Sequence, residues 1–436
     1  MAPRLTQGSG AYFRYRTRYL ALPPGILMST AGLRIFVNRH ILASLLPVGS
    51  GTANQMIAFR ISAALVVSAF VSACASSSHR IALAAPSAAE PPGTSKVDML
   101  VETTRSRSAM PGVIFSGDRA RQRSRYHLVI STPPDRNRKI GEVQWPRQSP
   151  PNPQTDFVTL KAEDMDEAEL ENWFSSVAGR KHKLFVFVHG FNSTFPEAAY
   201  RLAQIVHDSG MEAAPVLFTW PSRGRVLDYA YDAVSAAYSR DALEYVLTRA
   251  ATDPNVSDVT VMAHSLGNWV MMEALRQMSI RHGRIYPKIK NVIMAAPDLD
   301  VDLFRSELQQ IGSPRPRTTI LVSQDDTALA FSKSIGGNVE RVGEVNPDLP
   351  QYRSKLAEYN IVVINLTKLK SGDPFNHSKY AESPEIIRLI GQRLIAGQQI
   401  EGRDLTLGER VTGGTVRKLS QSVTGLIPAR TQTATQ

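Results

Sequence analysis

Apolar residues follow two alternating patterns along most of this chain. Short runs of consecutive apolar residues, many of them β-branched, alternate with longer segments in which apolar residues recur every three or four positions. The runs predict strands buried on both faces, and the periodic segments predict helices packed against them. The predicted strands are 97–101, 126–130, 139–143, 184–188, 214–220, 259–263, 292–296, 318–323 and 361–366. The predicted helices are 164–177, 195–207, 227–251, 266–278, 301–310 and 384–396.

The order of these elements predicts the fold class. From residue 184 onward, strands and helices alternate, which is typical of an α/β domain with a mostly parallel central sheet and helices on both faces. We place this domain at residues 96–398. Residues 75–95 are rich in Ala, Ser and Pro and predict a flexible linker, whereas residues 399–436 lack periodicity and predict a disordered tail.

Residues 56–74, MIAFRISAALVVSAFVSAC, resemble a bacterial lipoprotein signal. A basic start at Arg60 precedes an apolar stretch over 61–71, and small residues lead to Cys74. The apolar stretch is shorter than the ~20 residues that a membrane-spanning helix needs. The pattern therefore predicts that Cys74 is lipidated and becomes the mature N-terminus; the alternative is a buried free thiol.

The position of this signal within the chain leads to a further hypothesis. A signal peptide is N-terminal, yet residues 1–55 precede it, so we expect translation to start at Met56 and residues 1–55 to be a non-native or disordered extension. A lipidated Cys74 predicts a location in the bacterial cell envelope, with the domain anchored to the membrane and facing the periplasm. A secreted or a cytoplasmic protein is the alternative.

Charge and composition exclude several classes of function. The net charge is +11, but residues 1–73 contribute seven arginines and no acidic residue, which leaves +4 for the rest. A basic segment confined to the leader does not predict nucleic-acid binding by the folded domain. The single cysteine excludes an intrachain disulfide and disfavours a cysteine-based metal site. No HExxH, GxxxxGK[ST] or dinucleotide fingerprint occurs, so we expect neither a metal nor an organic cofactor.

The segment VTVMAHSLGNWVMM, residues 259–272, contains a candidate nucleophile. Ser265 lies between an apolar strand and a helix, which is the arrangement of a nucleophile elbow. Gly267 supplies the small residue after the serine, and Ala263 stands where the motif usually has its first glycine. The alternative is an ordinary serine that caps a helix.

A histidine–glycine pair after an earlier strand predicts an oxyanion hole. His189 and Gly190 follow the strand 184–188, where a glycine lets the backbone aim an amide at a developing negative charge. We expect the amides of Phe191 and Leu266 to be the two donors. The alternative is a glycine-based turn with a structural histidine.

The chain order of this kind of site, serine then acid then histidine, selects a base. Of the two histidines after Ser265, His282 ends the helix next to the elbow and fails this order, so His377 is the predicted base. The acid is Asp326, which follows the penultimate strand. Asp325 is the near alternative and Asp298, after the strand 292–296, is the distant one.

The motifs also occur together in a known order. FVHGFN, FTWPSRGRVLDYAYDAVSA, AHSLGN, MAAPDLD, DDTALAFS and NHSKY resemble an uncharacterised bacterial family of lipase- or esterase-like α/β-hydrolases, over residues 97–397. The resemblance implies the α/β-hydrolase fold, with Ser265 as nucleophile, Asp326 as acid and His377 as base.

The expected activity is hydrolysis of a small-molecule or lipid ester, or a thioester, through an acyl-enzyme. No amphipathic insertion between 292 and 318 indicates a lid, which favours an accessible pocket and small or medium acyl groups. Trp220, at the end of the predicted strand 214–220, would line the pocket mouth or pack in the core. The alternative function is a catalytically inactive binding module on the same fold, tethered to the envelope. The sequence leaves the oligomeric state open.

Overall fold

The computed structural model describes residues 92–359 and 361–391. The predicted extension 1–55, the signal segment with Cys74, most of the linker 75–95 and the tail 399–436 lie outside these residues. The strands are β1 Ser95–Arg107, β2 Phe115–Thr132, β3 Val158–Asp164, β4 Lys183–Val188, β5 Ala214–Thr219, β6 Asp258–His264, β7 Ile289–Ala295, β8 Arg317–Val322 and β9 Ile361–Asn365. The α-helices are α1 Glu167–Trp173, α2 Gly179–Lys181, α3 Phe195–Ser209, α4 Tyr229–Thr252, α5 Gly267–His282, α6 Val301–Ile311, α7 Thr327–Ile335, α8 Pro350–Glu358, α9 Lys379–Glu382 and α10 Pro384–Leu389.

The strands of the described residues form one mostly parallel sheet. Its order is β3-β2-β1-β5-β4-β6-β7-β8-β9. The first three strands pair antiparallel, and every later neighbour, beginning with β1 and β5, is parallel. The carboxyl ends of the parallel strands therefore meet at one edge. Ser265, Asp326 and His377 follow β6, β8 and β9 at that edge.

Helices cover both faces of the sheet, as predicted. Side chains alternate along β4, where Val186 and Val188 join one core cluster and Phe185 and Phe187 join the other. The first cluster includes buried residues of α4, α5 and α6, and the second includes residues of α3 and α10. This two-sided burial confirms the α/β class. None of the helices within 92–359 and 361–391 combines the length and apolar content needed to cross a lipid bilayer.

One strand predicted in the first third of the domain is wrong, and one strand there was not predicted. Residues 139–143 form no strand; they belong to a loop in which the Gly141 amide donates to Asp208 at 2.8 Å. Buried Arg138 pairs with the same carboxylate, at 2.6 Å. The sequence did not predict β3, because it is an edge strand and its exposed end is made of polar residues.

Three helices also differ from the predicted elements. The helix predicted over 164–177 begins at Glu167, because Asp166 caps it: Asp166 accepts from the Glu169 amide, and Glu169 accepts from the Asp166 amide, both at 2.8 Å. Helices α7 and α8, between β8 and β9, were not predicted. The connection between β8 and β9 therefore contains two additional helices. Helix α6, between β7 and β8, instead buries Phe304 in the core.

A buried carboxyl on α6 predicts a pH-dependent stability. Glu307 is 1% exposed, and burial followed by repulsion from Glu273 raises the pKa of Glu307 to about 9, against an ordinary value of 4.5. The folded state holds this proton at neutral pH while the unfolded state releases it. Stability therefore falls as the pH rises from about 4.5 to about 9.

We expect Glu307→Gln to remove this dependence. The amide keeps the shape of the protonated acid, so the variant should gain on the order of 2 kcal/mol in free energy of unfolding at pH 8 and little at pH 5. Urea unfolding at both pH values measures the difference. Exposed Glu142→Gln is the control and should change neither value. Equal effects of Glu307→Gln at the two pH values would contradict the protonated state.

Candidate active site

Ser265 occupies a strained turn between β6 and α5. Its φ of 52° is in the left-handed region, which a non-glycine residue adopts only at a cost. Its amide donates to the Ala295 carbonyl at 3.0 Å, and its own carbonyl accepts from the amides of Asn268 at 3.1 Å and Asp298 at 3.2 Å. None of the described residues forms a hydrogen bond with the Ser265 hydroxyl. The backbone of the turn is thus held tightly, and within the described residues the Ser265 hydroxyl makes no hydrogen bond to His377.

Two glycines allow the close approach that this turn needs. A Cβ at position 267 would lie 2.3 Å from the His189 carbonyl oxygen, and one at position 190 would lie 2.8 Å from the Cβ of Ser265. No side chain fits at either position, so Gly190 and Gly267 bring the end of β4 against the elbow. Ala263, two residues before the serine, is fully buried and pairs in register with Val188 of β4.

His377 and Asp326 form a buried pair at the same edge. The Nδ1 of His377 lies 2.7 Å from Oδ2 of Asp326, whose side chain is fully buried. The other Asp326 oxygen accepts from the Leu329 amide at 3.0 Å and so caps α7. The His377 amide donates to Asp373 at 2.7 Å, which fixes the loop. Burial lowers the pKa of His377, but the adjacent Asp326 carboxylate outweighs it and the net pKa is raised above 6.5.

The alternative carboxylates have other partners. Asp325 binds Nζ of buried Lys379 with both oxygens, at 2.7 and 2.8 Å. Asp298 accepts from the Tyr229 hydroxyl at 3.0 Å and from the Ser332 hydroxyl. His377 has a hydrogen bond to Asp326 but none to Asp325 or Asp298 in the part of the chain that the structure describes. Of the three carboxylates, only Asp326 contacts the His377 imidazole among the described residues.

His264, which the sequence analysis did not single out, contacts His377 next to the elbow. Its Nε2 lies 3.3 Å from the His377 carbonyl oxygen, and the two rings pack at a centroid distance of 4.6 Å. The other side of the His264 ring packs against Tyr380. Burial and then the proximity of His377 lower the pKa of His264 well below 6.5. The signal was its place directly before Ser265, but chain order considers only histidines that follow the serine.

The predicted oxyanion donors belong to the elbow itself, at Leu266, and to the loop after β4, at Phe191. No described residue accepts a hydrogen bond from the amide of Phe191 or of Leu266. Asn192, which follows Phe191, has a φ of 57°, so the chain turns sharply there. The Phe191 ring contacts the Tyr229 ring at a centroid distance of 5.1 Å. Tyr229 thus supports this region through Phe191 and Asp298.

His189 is a structural element of this region. It is buried, its Nδ1 lies 2.9 Å from the Gly190 carbonyl oxygen, and its ring stacks on Trp220 at 5.0 Å. Burial, followed by the charge of Arg105, lowers the pKa of His189 to about 3, so the ring is neutral. Trp220 is fully buried and its indole donates to the His189 carbonyl at 2.8 Å. Trp220 therefore packs in the core and does not line a pocket mouth.

The described residues show no arrangement that suits a metal ion. No group of three or more His, Cys, Asp or Glu side chains within 92–359 and 361–391 is placed to hold one.

Several solved structures are similar to this chain at low identity. A lipase-esterase related protein from Clostridium acetobutylicum is 9% identical with a TM-score of 0.28, covering 50% of this chain and 96% of its own. The siderophore hydrolase EstB from Aspergillus nidulans is 12% identical with a TM-score of 0.30, covering 70% and 97%. A fungal esterase from Rhizomucor miehei is 12% identical with a TM-score of 0.29, covering 63% and 81%. No curated protein matches the chain.

A family profile matches the part of the chain that carries the site. The profile is described as an alpha/beta hydrolase of unknown function (DUF900), and it matches residues 166–393. This range is more than half of the chain and includes Gly190, Ser265, Asp326 and His377. The chain belongs to this family of alpha/beta hydrolases.

Proposed function

We propose that the protein is a serine hydrolase that cleaves carboxylic ester or thioester bonds, with Ser265 as nucleophile, His377 as base and Asp326 as acid. The observation that carries the proposal is the buried 2.7 Å contact between His377 Nδ1 and Asp326 Oδ2. His377 also contacts His264, the residue directly before Ser265, whose backbone is strained. A serine hydroxyl becomes reactive when a neighbouring imidazole takes its proton and a carboxylate orients that imidazole.

The proposed reaction has two half-steps. The Nδ1–H of His377 donates to Asp326, so Nε2 carries the lone pair that accepts the proton of Ser265. The Ser265 oxygen attacks the carbonyl carbon, and the resulting intermediate expels the alcohol or thiol, which takes the proton back from His377. Water then attacks the acyl-enzyme, with His377 again accepting and returning a proton, and the acid is released.

Backbone amides stabilise the intermediate. Negative charge develops on the former carbonyl oxygen, and the amides of Phe191 and Leu266, which have no described acceptor, are placed to donate to it.

Labelling and turnover of the full chain test the proposed function. We expect a fluorophosphonate probe to modify Ser265, identified by peptide mass mapping, and p-nitrophenyl esters of increasing acyl length to be hydrolysed. Preincubation with the probe should abolish this turnover. Absence of both labelling and turnover across the panel would contradict the hydrolase and favour the binding module on an inactive scaffold.

We also propose that Cys74 anchors the protein in the bacterial envelope. The support is the sequence pattern of residues 56–74 alone. Attachment of several acyl chains gives firm membrane binding, so Cys74→Ser is expected to move most of the protein from the membrane fraction to the soluble fraction. Immunoblots of both fractions measure this, with Ser77→Ala as the control that stays in the membrane. Retention of Cys74→Ser in the membrane would contradict the anchor.

A further inference from the structure

Arg105 on β1 is a buried arginine without a carboxylate partner among the described residues. Its side chain is 1% exposed and hydrogen-bonds only to neutral groups. Burying a cation in this way is costly unless its nitrogens are satisfied, and the rigid fork of a guanidinium satisfies several acceptors at once. The groups that accept hydrogen bonds from Arg105 therefore indicate which part of the structure it stabilises.

The Arg105 guanidinium connects two loops beside Ser265. Residues 189–194, which we call the oxyanion loop, receive one hydrogen bond from Nη2 to the Ser193 carbonyl at 2.7 Å. The segment after β5 receives another, from Nη1 to the Ser222 carbonyl at 2.7 Å. The Nε donates to the Thr219 hydroxyl at 2.8 Å, and Nη1 also reaches the Ser116 carbonyl at 3.3 Å.

The same guanidinium contributes to fixing the tautomer of His189. Nε2 of His189 lies 2.9 Å from the Thr219 hydroxyl, 3.2 Å from the Trp220 amide and 3.3 Å from Nη2 of Arg105. Arg105 Nε donates to the Thr219 oxygen, which leaves the Thr219 proton for His189, so three donors face Nε2 and the proton sits on Nδ1. Nδ1–H then donates to the Gly190 carbonyl at 2.9 Å.

The orientation of Gly190 determines where the Phe191 amide points. The Gly190 carbonyl and the Phe191 N–H belong to one planar trans peptide group, so they point in opposite directions. Holding this carbonyl on His189 turns the N–H of Phe191 away from His189. The Cα of Gly190 adjoins Ser265, because a Cβ there would meet the Ser265 Cβ at 2.8 Å.

The opposite side of the oxyanion loop is held by a second group. Asp232 accepts from the Ser222 hydroxyl at 2.5 Å and from the Asn192 amide at 3.5 Å. The Ser222 oxygen in turn accepts from the Ser193 amide at 3.0 Å. The loop is thus fixed on both sides of Phe191, and Arg105 holds the side that passes through His189.

We propose that Arg105 is a positioning residue of the oxyanion hole, which fixes the Gly190–Phe191 peptide through His189 and Ser193 so that the Phe191 amide faces the carbonyl oxygen of an ester at Ser265. This inference rests on the proposed hydrolase function. Arg105 would then contribute to stabilising the tetrahedral intermediate. It lies on β1, about 160 positions before Ser265 and outside the matched range 166–393.

Kinetics of two Arg105 variants test the proposal. Arg105→Met removes the fork, and we expect kcat for a p-nitrophenyl ester to fall about 100-fold while KM changes less than about threefold. A trifluoromethyl ketone, whose adduct with Ser265 carries its oxygen in the oxyanion hole, should bind more weakly by the same factor as kcat falls. Arg105→Lys keeps the charge without the fork and should lose about tenfold.

Arg138→Met is the matched control for damage to the fold. Arg138 is equally buried, with a side chain 2% exposed, and pairs with Asp208 away from the oxyanion loop. Its loss should lower the melting temperature and leave kcat and the inhibition constant of the ketone unchanged. The acid limb of the pH profile should also stay in place in both Arg105 variants, because Arg105 acts on His189 rather than on His377.

The outcomes separate this inference from the proposed function. Wild-type kcat and ketone affinity in Arg105→Lys and Arg105→Met would overturn the positioning role while Ser265 stays the nucleophile; should the methionine variant not fold, Arg105→Lys alone decides. If the wild-type chain reacts with neither ester nor fluorophosphonate, the proposed function fails. ¹⁵N NMR of the His189 ring then tests the link without turnover: ring ¹⁵N shifts unchanged from the wild type in both Arg105 variants would overturn it.

Discussion

Ser265→Ala is expected to lower kcat for ester hydrolysis by about 10⁴-fold to 10⁶-fold. The substitution removes the oxygen that attacks the carbonyl and leaves the backbone of the elbow unchanged. Labelling by the fluorophosphonate should disappear at the same time. Steady-state kinetics and probe labelling of purified full-length protein measure both effects, and any residual rate reports only binding and the backbone amides.

Two further serine variants test whether the loss of activity is specific to the Ser265 hydroxyl. Ser279→Ala, on the same helix as the elbow but with its hydroxyl bound to the Ile311 carbonyl, should keep wild-type activity. Ser265→Gly should be as inactive as Ser265→Ala but more stable by about 1 kcal/mol, because glycine adopts a φ of 52° without strain. Activity in Ser265→Ala above a hundredth of the wild-type rate would exclude Ser265 as the nucleophile.

The sequence predicted the elements whose own residues determine them. Strands β4 and β5 are nearly continuous apolar runs, and β6, β7 and β8 each contain one, because these segments are buried on both faces, and that burial is visible in the composition alone. The elbow was predictable because a strand, a turn serine and a helix follow one another directly. The order of serine, acid and histidine also pointed to the Asp326–His377 pair, which the structure places 2.7 Å apart.

The contacts that support the site could not be predicted, because they join residues far apart in sequence. Arg105 reads as one charged residue in the polar run TTRSR, and only the parallel pairing of β1 with β5 brings it beneath the oxyanion loop. The role of Lys379 is equally invisible, since its partner Asp325 lies more than fifty residues earlier. The choice between Asp325 and Asp326 therefore required the structure, where Lys379 occupies one carboxylate and His377 the other.

That choice leads to the second large effect, which we expect from Asp326→Asn. The amide keeps the size of the side chain but cannot hold the imidazole proton on Nδ1, so kcat should fall by about 10³-fold to 10⁴-fold. Asp325→Asn should instead destabilise the protein, because it leaves the buried Lys379 without its carboxylate. Asp298→Asn should weaken the hydrogen bonds that Asp298 accepts from the Tyr229 and Ser332 hydroxyls. Kinetics and thermal unfolding of the three variants distinguish these effects.

The pH profile gives Asp326→Asn a signature that simple loss of structure would not reproduce. Activity requires a neutral His377, so in the wild type the acid limb of kcat/KM should lie above pH 6.5, where the Asp326 carboxylate places the raised pKa of His377. Without that carboxylate, burial lowers the pKa of His377 and the limb should move to lower pH while the maximum falls. Asp325→Asn should leave the limb in place, since Asp325 makes no hydrogen bond to the imidazole. If the acid limb moves in Asp325→Asn and stays in place in Asp326→Asn, Asp325 rather than Asp326 is the acid, and the proposed assignment is wrong.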